Sequence, residues 1–361
     1  MNRRRLLATF GAGASAAVAA PAIAQSAPEF NWRMVTSFPK NLGVMFGTAE
    51  LFASMVSELT DGRLRVQLFG PGEIVGGTQV LDATASNTIE LTQTAPTYFY
   101  GKDPAFAFGS TLPFMINARQ QNAWLYYKGG NELLQELYRK HNVYGLPSGN
   151  TGTQMGGWFR REVKTPGDLK GLKFRVAGFA GEVLARVGAT PQQIPASDIY
   201  SALERGTIDG LEYIGPFDDE KLGIVRVAPY YYYPGWHEGG SIIVTLVNFE
   251  QWNKLPKRYQ RAIEVAAMAC NTAMQARFDS ENPDALVRLI QAGAQLRSFS
   301  PEVLEVLARE TNELLKEIAT TNDLFRRMLE SQTAFRDKSY TYHQIAEYSF
   351  DTTMLRLRRQ R

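Results

Sequence analysis

Arg175 closes the extended segment 172–176, in which Leu172, Phe174 and Val176 share one face and Lys173 and Arg175 the other. A guanidinium is a planar fork that matches a carboxylate with two parallel hydrogen bonds, so one arginine can both neutralise and orient a monocarboxylate. From spacing alone the same residue serves equally well as half of a structural ion pair. Glu212 comes after a helix that stops at Gly206, in a strand end of the sort that lines α/β crevices. Glu238 lies between the aromatic run at 230–235 and Gly239-Gly240, glycines that predict a close approach of backbone to whatever fills the site. If Glu212, Glu238 and Gln154 converge, their carboxylate and amide oxygens make a site for Na⁺ or Ca²⁺. Without that convergence they are unrelated solvated side chains. Tyr98, Tyr100, Asn150, Tyr213 and the pair Trp236-His237 complete a polar and aromatic set placed where two lobes would face each other.

Other chemistries find little support. His141, His237 and His343 stand at no metal-motif spacing, and the single cysteine, Cys270, sits in an Ala- and Met-rich stretch that suits a buried inert thiol. No glycine-rich phosphate loop opens a helix. The charge run Asp218-Asp219-Glu220-Lys221 reads as a solvated turn.

Positioning these residues requires two α/β layers. Strands are predicted at 31–36, 64–69 and 89–94, with helices over 43–59 and 78–85 between them. A helix over 118–141 leads to a strand at 143–146, and the alternation restarts with strands over 154–160 and 172–176 and helices over 180–187 and 198–206. The strand-like run 239–247 returns the chain to the first layer, and two crossings between lobes imply a hinge. The boundaries expected are lobe one over 26–148 and 239–300, lobe two over 149–238, and C-terminal helices over 301–361, with Pro283 and Pro301 marking breaks. Tyr340, Tyr342, Ile345, Tyr348, Phe350 and Leu355 give the last segment more apolar surface than a lone terminal helix could hide, so it must dock, on this chain or on a second copy.

Arg3, Arg4 and Arg5 ahead of an apolar run ending in Ala22-Ile23-Ala24 predict a signal peptide over 1–25, with the paired arginines pointing to twin-arginine export and Sec as the other route. The leader arginines account for the whole formal charge of +3, so the basic balance says nothing about nucleic acid, and no nucleic-acid partner is expected. What remains of the 361 residues exceeds what one hydrophobic core usually organises.

The stretches Gly101-Lys102-Asp103-Pro104, Gly149-Asn150-Thr151-Gly152, Gly156-Gly157-Trp158-Phe159-Arg160-Arg161, Gly171-Leu172-Lys173-Phe174-Arg175-Val176 and Gly215-Pro216-Phe217-Asp218-Asp219 resemble the DctP-type receptors of tripartite ATP-independent periplasmic (TRAP) transporters, in particular the branch that binds 2-oxo acids. The resemblance implies a two-lobed, Venus-flytrap periplasmic binding fold with a hinge and a long C-terminal helical region. It implies a non-enzymatic receptor that captures a small 2-oxo monocarboxylate, pyruvate or longer, and delivers it to the membrane subunits. It further implies that Arg175 binds the carboxylate, that Asn150, Tyr98 and Tyr100 wall the pocket, and that Gln154, Glu212, Tyr213 and Glu238 gather round a cation, sodium favoured over calcium. A homodimer through the C-terminal helix is implied as well. The chain departs from that branch at Tyr213 and His237, where the branch carries tryptophan. A branch that binds lactate with calcium is also similar, so a 2-hydroxy acid stays open. A periplasmic enzyme using Glu212 and Glu238 as acid and base, and a sensor read by a signalling receptor, are the other function classes.

Overall fold

The computed structural model describes residues 28–358; the leader expected over 1–25 lies outside the described residues. In chain order the first part runs β1 (Phe30–Thr36), α1 (Met45–Leu59), β2 (Leu64–Phe69), α2 (Val80–Ala85), β3 (Leu91–Thr94), a 3₁₀ turn (Pro96–Phe99), α3 (Phe106–Ser110), α4 (Ala118–Tyr127), α5 (Gly130–Lys140) and β4 (Val143–Asn150). The middle part runs β5 (Gly157–Phe159), β6 (Lys173–Arg175), α6 (Gly178–Arg186), β7 (Thr190–Gln192), α7 (Ile199–Glu204), β8 (Gly210–Leu211), α8 (Pro216–Lys221) and β9 (Tyr230–Tyr233). The last part runs β10 (Ile242–Asn248), α9 (Phe249–Lys254), α10 (Lys257–Gln291), β11 (Gln295–Ser298), α11 (Pro301–Thr321), α12 (Asp323–His343) and α13 (Ser349–Arg358).

These elements form two sheets, one ordered β2-β1-β3-β10-β4 and the other β11-β9-β5-β8-β6-β7. Apolar side chains on both faces of β10, which is buried along its whole length, explain its central place in the first sheet. It arrives there from the second sheet, antiparallel to both β3 and β4. The chain thus leaves the first lobe after β4 and returns at β10, and it crosses once more through α10, since β11 joins the second sheet. No helix among the described residues is long and apolar enough to span a membrane.

Four expectations need correction. The helix predicted over 118–141 is two helices, because Gly129 adopts φ 82 and turns the chain between α4 and α5. Pro283 sits inside α10 instead of ending it, on an exposed face where water can take the hydrogen bond of the carbonyl that loses its partner. Residues 295–298, expected with the first lobe, pair in parallel with Tyr230–Tyr233 in the second sheet.

The fourth concerns the charge run 218–221, which is no solvated turn. Asp218 and Asp219 are buried in the first turn of α8. Asp219 accepts hydrogen bonds from Trp158 Nε1 at 2.9 Å and the Tyr231 hydroxyl at 2.7 Å, while those two rings stack 3.8 Å apart. Neither carboxylate oxygen of Asp218 has a well-formed hydrogen bond. Burial, and then the neighbouring carboxylate, push Asp218 up to about 7; burial pushes Asp219 up to about 6. A carboxyl raised on folding binds more protons folded than unfolded, so its stability contribution is complete at low pH and is lost as pH rises through the folded value. Asp218→Asn is therefore expected to stabilise the protein by about 2 kcal/mol at pH 8, with the gain vanishing near pH 4. Thermal unfolding at the two pH values checks this.

Candidate functional site

Pairing between β6 and β8 brings Arg175 opposite Leu211, and the next backbone amide, that of Glu212, donates to the Arg175 carbonyl at 3.0 Å. The two side chains consequently leave adjacent strand ends toward the seam between the sheets. Arg175 is 2% exposed. Its Nη1 donates to Glu212 Oε1 at 2.8 Å and to the Glu212 carbonyl at 2.6 Å, and Nε donates to the Ile194 carbonyl at 3.2 Å. The guanidinium stands 5.4 Å from the centre of the Tyr213 ring, a cation–π contact that holds the fork in plane. Burial opposes its charge, but Glu212, Tyr98 and Tyr213 outweigh that, and its pKa is raised.

Gln154 and Glu238 come together through the backbone, the Gln154 amide donating to the Glu238 carbonyl at 3.1 Å. Gln154 Nε2 donates to Thr151 Oγ1 at 3.2 Å, which leaves Gln154 Oε1 buried without a donor. The Tyr213 hydroxyl is also buried without a partner. Burial, reinforced by Glu212, pushes Glu238 up to about 7. His237 Nε2 lies 3.3 Å from Glu212 Oε2; burial lowers the imidazole pKa, yet the Glu212 carboxylate outweighs it and the net shift is upward.

Tyr98, Gln154, Arg175, Glu212, Tyr213 and Glu238 line one small cavity in the seam. Asn150 and Tyr100 are not among its lining residues. Asn150 is buried at the end of β4, where Oδ1 accepts from the Gly152 amide at 2.9 Å. Tyr100 instead turns its hydroxyl to the Glu182 carboxylate across the seam. Gly239 and Gly240 approach the chain's own backbone and not the cavity: an added Cβ would meet the Ile116 carbonyl at 2.5 Å and Ala118 Cα at 2.4 Å. Sequence reasoning did not assign the Ile194 carbonyl, Thr151 or Ser241 to the site. Only the chain reversal after β7 and the crossing at 241 bring them in, and no local signal marks either.

With His237 uncharged, the cavity carries two carboxylates against one guanidinium, and its unpartnered amide oxygen adds a further acceptor. Such an excess of acceptors suits a hard cation, which takes carboxylate and amide oxygens. The described residues hold no cluster of three or more His, Cys, Asp or Glu fit for a metal ion, which sets this donor set apart from a thiolate or imidazole metal centre.

Two lobes closing over a small polar cavity, entered by one arginine from a strand end, define a two-lobed solute receptor. Residues 36–322 match the family described as DctP, bacterial extracellular solute-binding protein family 7, and the chain belongs to that family. It is a periplasmic solute-binding protein of the TRAP type and not an enzyme. A monocarboxylate 2-oxoacid-binding periplasmic protein of Nostoc is 43% identical over 324 residues, 90% of this chain and 89% of that protein. A TRAP transporter solute-binding protein from Bordetella bronchiseptica, solved as a dimer with calcium and picolinate, superposes with a TM-score of 0.91 at 42% identity, covering 92% of this chain and all of that one. One from Pseudoalteromonas atlantica, solved with sodium and pyruvate, gives 0.87 at 35% identity over 89% of this chain and 98% of that one.

Proposed function

We propose that this protein captures a small 2-oxo monocarboxylate, pyruvate or a longer homologue, together with a cation, and hands it to the membrane subunits of a TRAP transporter. The observation that carries this reading is the opposition, in one cavity, of the Arg175 guanidinium to the unpartnered Gln154 oxygen and Glu238. In this reading Arg175 grips the carboxylate, and an ion held by Gln154, Glu212 and Glu238 meets the oxygen at carbon two. Tyr98 and Tyr213 wall the acid. Charge counting bears on the ion. With both glutamates ionised and His237 neutral a divalent ion balances the site, whereas with a proton on His237, whose pKa Glu212 raises, sodium does, so the choice between the two ions follows the state of His237.

Native mass spectrometry of protein purified from its host tests the reading. Retention of a small acid and one metal ion per subunit is expected; a retained sugar or amine without metal would contradict it.

We place export under the twin-arginine leader and the dimer contact on the C-terminal helices. The second rests on exposed Tyr342, Ile345, Tyr348, Phe350 and Leu355, each 60–71% exposed in the single chain. Deleting 344–361 is expected to convert a dimer to a monomer in light scattering while pyruvate affinity stays within about twofold, since no described residue of that segment reaches the cavity.

A further inference from the structure

Tyr100 does not line the cavity, yet it is not idle. The 3₁₀ turn Pro96–Phe99 belongs to the first lobe, and Thr97 is tied there by its amide, which donates to Ser110 Oγ at 3.1 Å. Facing it across the seam is the first turn of α6, which belongs to the second lobe and opens at Gly178 with φ 62. A Cβ built on Gly178 would fall 2.0 Å from Thr97 Oγ1 and 2.9 Å from the Thr97 carbonyl. No side chain fits there. One turn further along α6, Glu182 accepts the Tyr100 hydroxyl, and the Tyr100 ring meets Phe179 edge-on with centroids 6.0 Å apart. A third bridge runs from Gln193 Nε2 to the Tyr98 carbonyl at 3.2 Å.

We infer that Gly178, Tyr100 and Glu182 form an interlobe clasp, made only when the lobes close, that sets the affinity of the receptor without touching its ligand. This rests on the reading of the seam as the acid site. Thr97, against which Gly178 packs, borders the cavity, but none of the three lines it. They are positioning residues. If binding requires the closed form, the apparent dissociation constant is the intrinsic one divided by the closed fraction, so loosening the clasp weakens every acid by one common factor. Residues that touch the acid would change the ratio between acids instead.

The test uses Tyr100→Phe, which deletes one hydroxyl, and Gly178→Asn, which adds a side chain while keeping a residue type tolerant of left-handed backbone. Calorimetry with pyruvate and 2-oxobutyrate in calcium-containing buffer should show losses of roughly fivefold for the first and at least about tenfold for the second, equal for the two acids within about twofold. Small-angle scattering at a pyruvate concentration that closes the wild type should find Gly178→Asn more extended. Wild-type affinity in both variants, or a shift in the ratio between the acids, overturns the clasp. Failure of the wild type to bind either acid would speak against the ligand reading alone. The clasp is then decided by amide exchange over residues 178–182 in protein purified from its host with its retained solute still bound, which should be faster in Tyr100→Phe and would refute the clasp if unchanged.

Discussion

Arg175→Ala will weaken pyruvate binding by about 2–5 kcal/mol, roughly 30- to 5,000-fold, when measured by calorimetry in calcium-containing buffer. Two losses combine. The acid's carboxylate forfeits a charged, planar donor that is itself buried, and Glu212 Oε1 forfeits the partner 2.8 Å away that compensates its own charge. The variant thus leaves the ion and His237 alone to offset the two carboxylates when the anion enters. Arg175→Lys separates charge from geometry. An ammonium keeps the positive charge but cannot reach the Ile194 carbonyl, the Glu212 side chain and a ligand carboxylate at fixed angles, so its affinity should fall between the wild type and alanine. Because breaking the buried pair also costs stability, each variant's melting curve must show it folded at the titration temperature. Near-normal affinity in folded Arg175→Ala would remove the residue from the site.

Stripping the cation is expected to lower pyruvate affinity by about two orders of magnitude, near 3 kcal/mol, and adding calcium back should restore it. Without an ion, the oxygen at carbon two would meet the unpartnered Gln154 Oε1, an acceptor, and Glu238, which repels it whenever its carboxyl is ionised. Glu238→Gln provides the control. Its amide weakens the ion site and removes one negative charge, so pyruvate binding in this variant should lose most of its dependence on calcium. Chelated wild-type protein that binds pyruvate as tightly as the calcium form would contradict the role given to the ion.

The placing of Arg175 and Glu212 at the seam is legible in the sequence because both follow from alternation and strand ends: one parallel ladder, β6 with β8, converts those positions into neighbours. Gln154 and Glu238 are legible as residues but not as partners. Their approach depends on a backbone hydrogen bond across the crossing segments, and Gly235 sits so close there that a Cβ would come 2.2 Å from the Gln154 carbonyl. Tyr100 looks like a pocket residue by type and place, but its hydroxyl is taken by Glu182 across the seam, while Asn150 spends its Oδ1 on the Gly152 amide and keeps Nδ2 buried without a partner. Asp218-Asp219 misleads for a related reason. A local charge run signals solvent, whereas the stacked Trp158 and Tyr231 that bury it come from strands well separated from it along the chain. Strand β11 joins the second sheet by pairing with residues some sixty positions earlier, a choice that periodicity in the strand itself does not encode.

The most direct test is a crystal structure with pyruvate and calcium. The carboxylate is expected about 2.8 Å from the Arg175 guanidinium, with one ion shared by Gln154, Glu212, Glu238 and the oxygen at carbon two. A pyruvate whose carboxylate faces away from Arg175, or one bound in the seam with no ion beside Glu238, would contradict this arrangement.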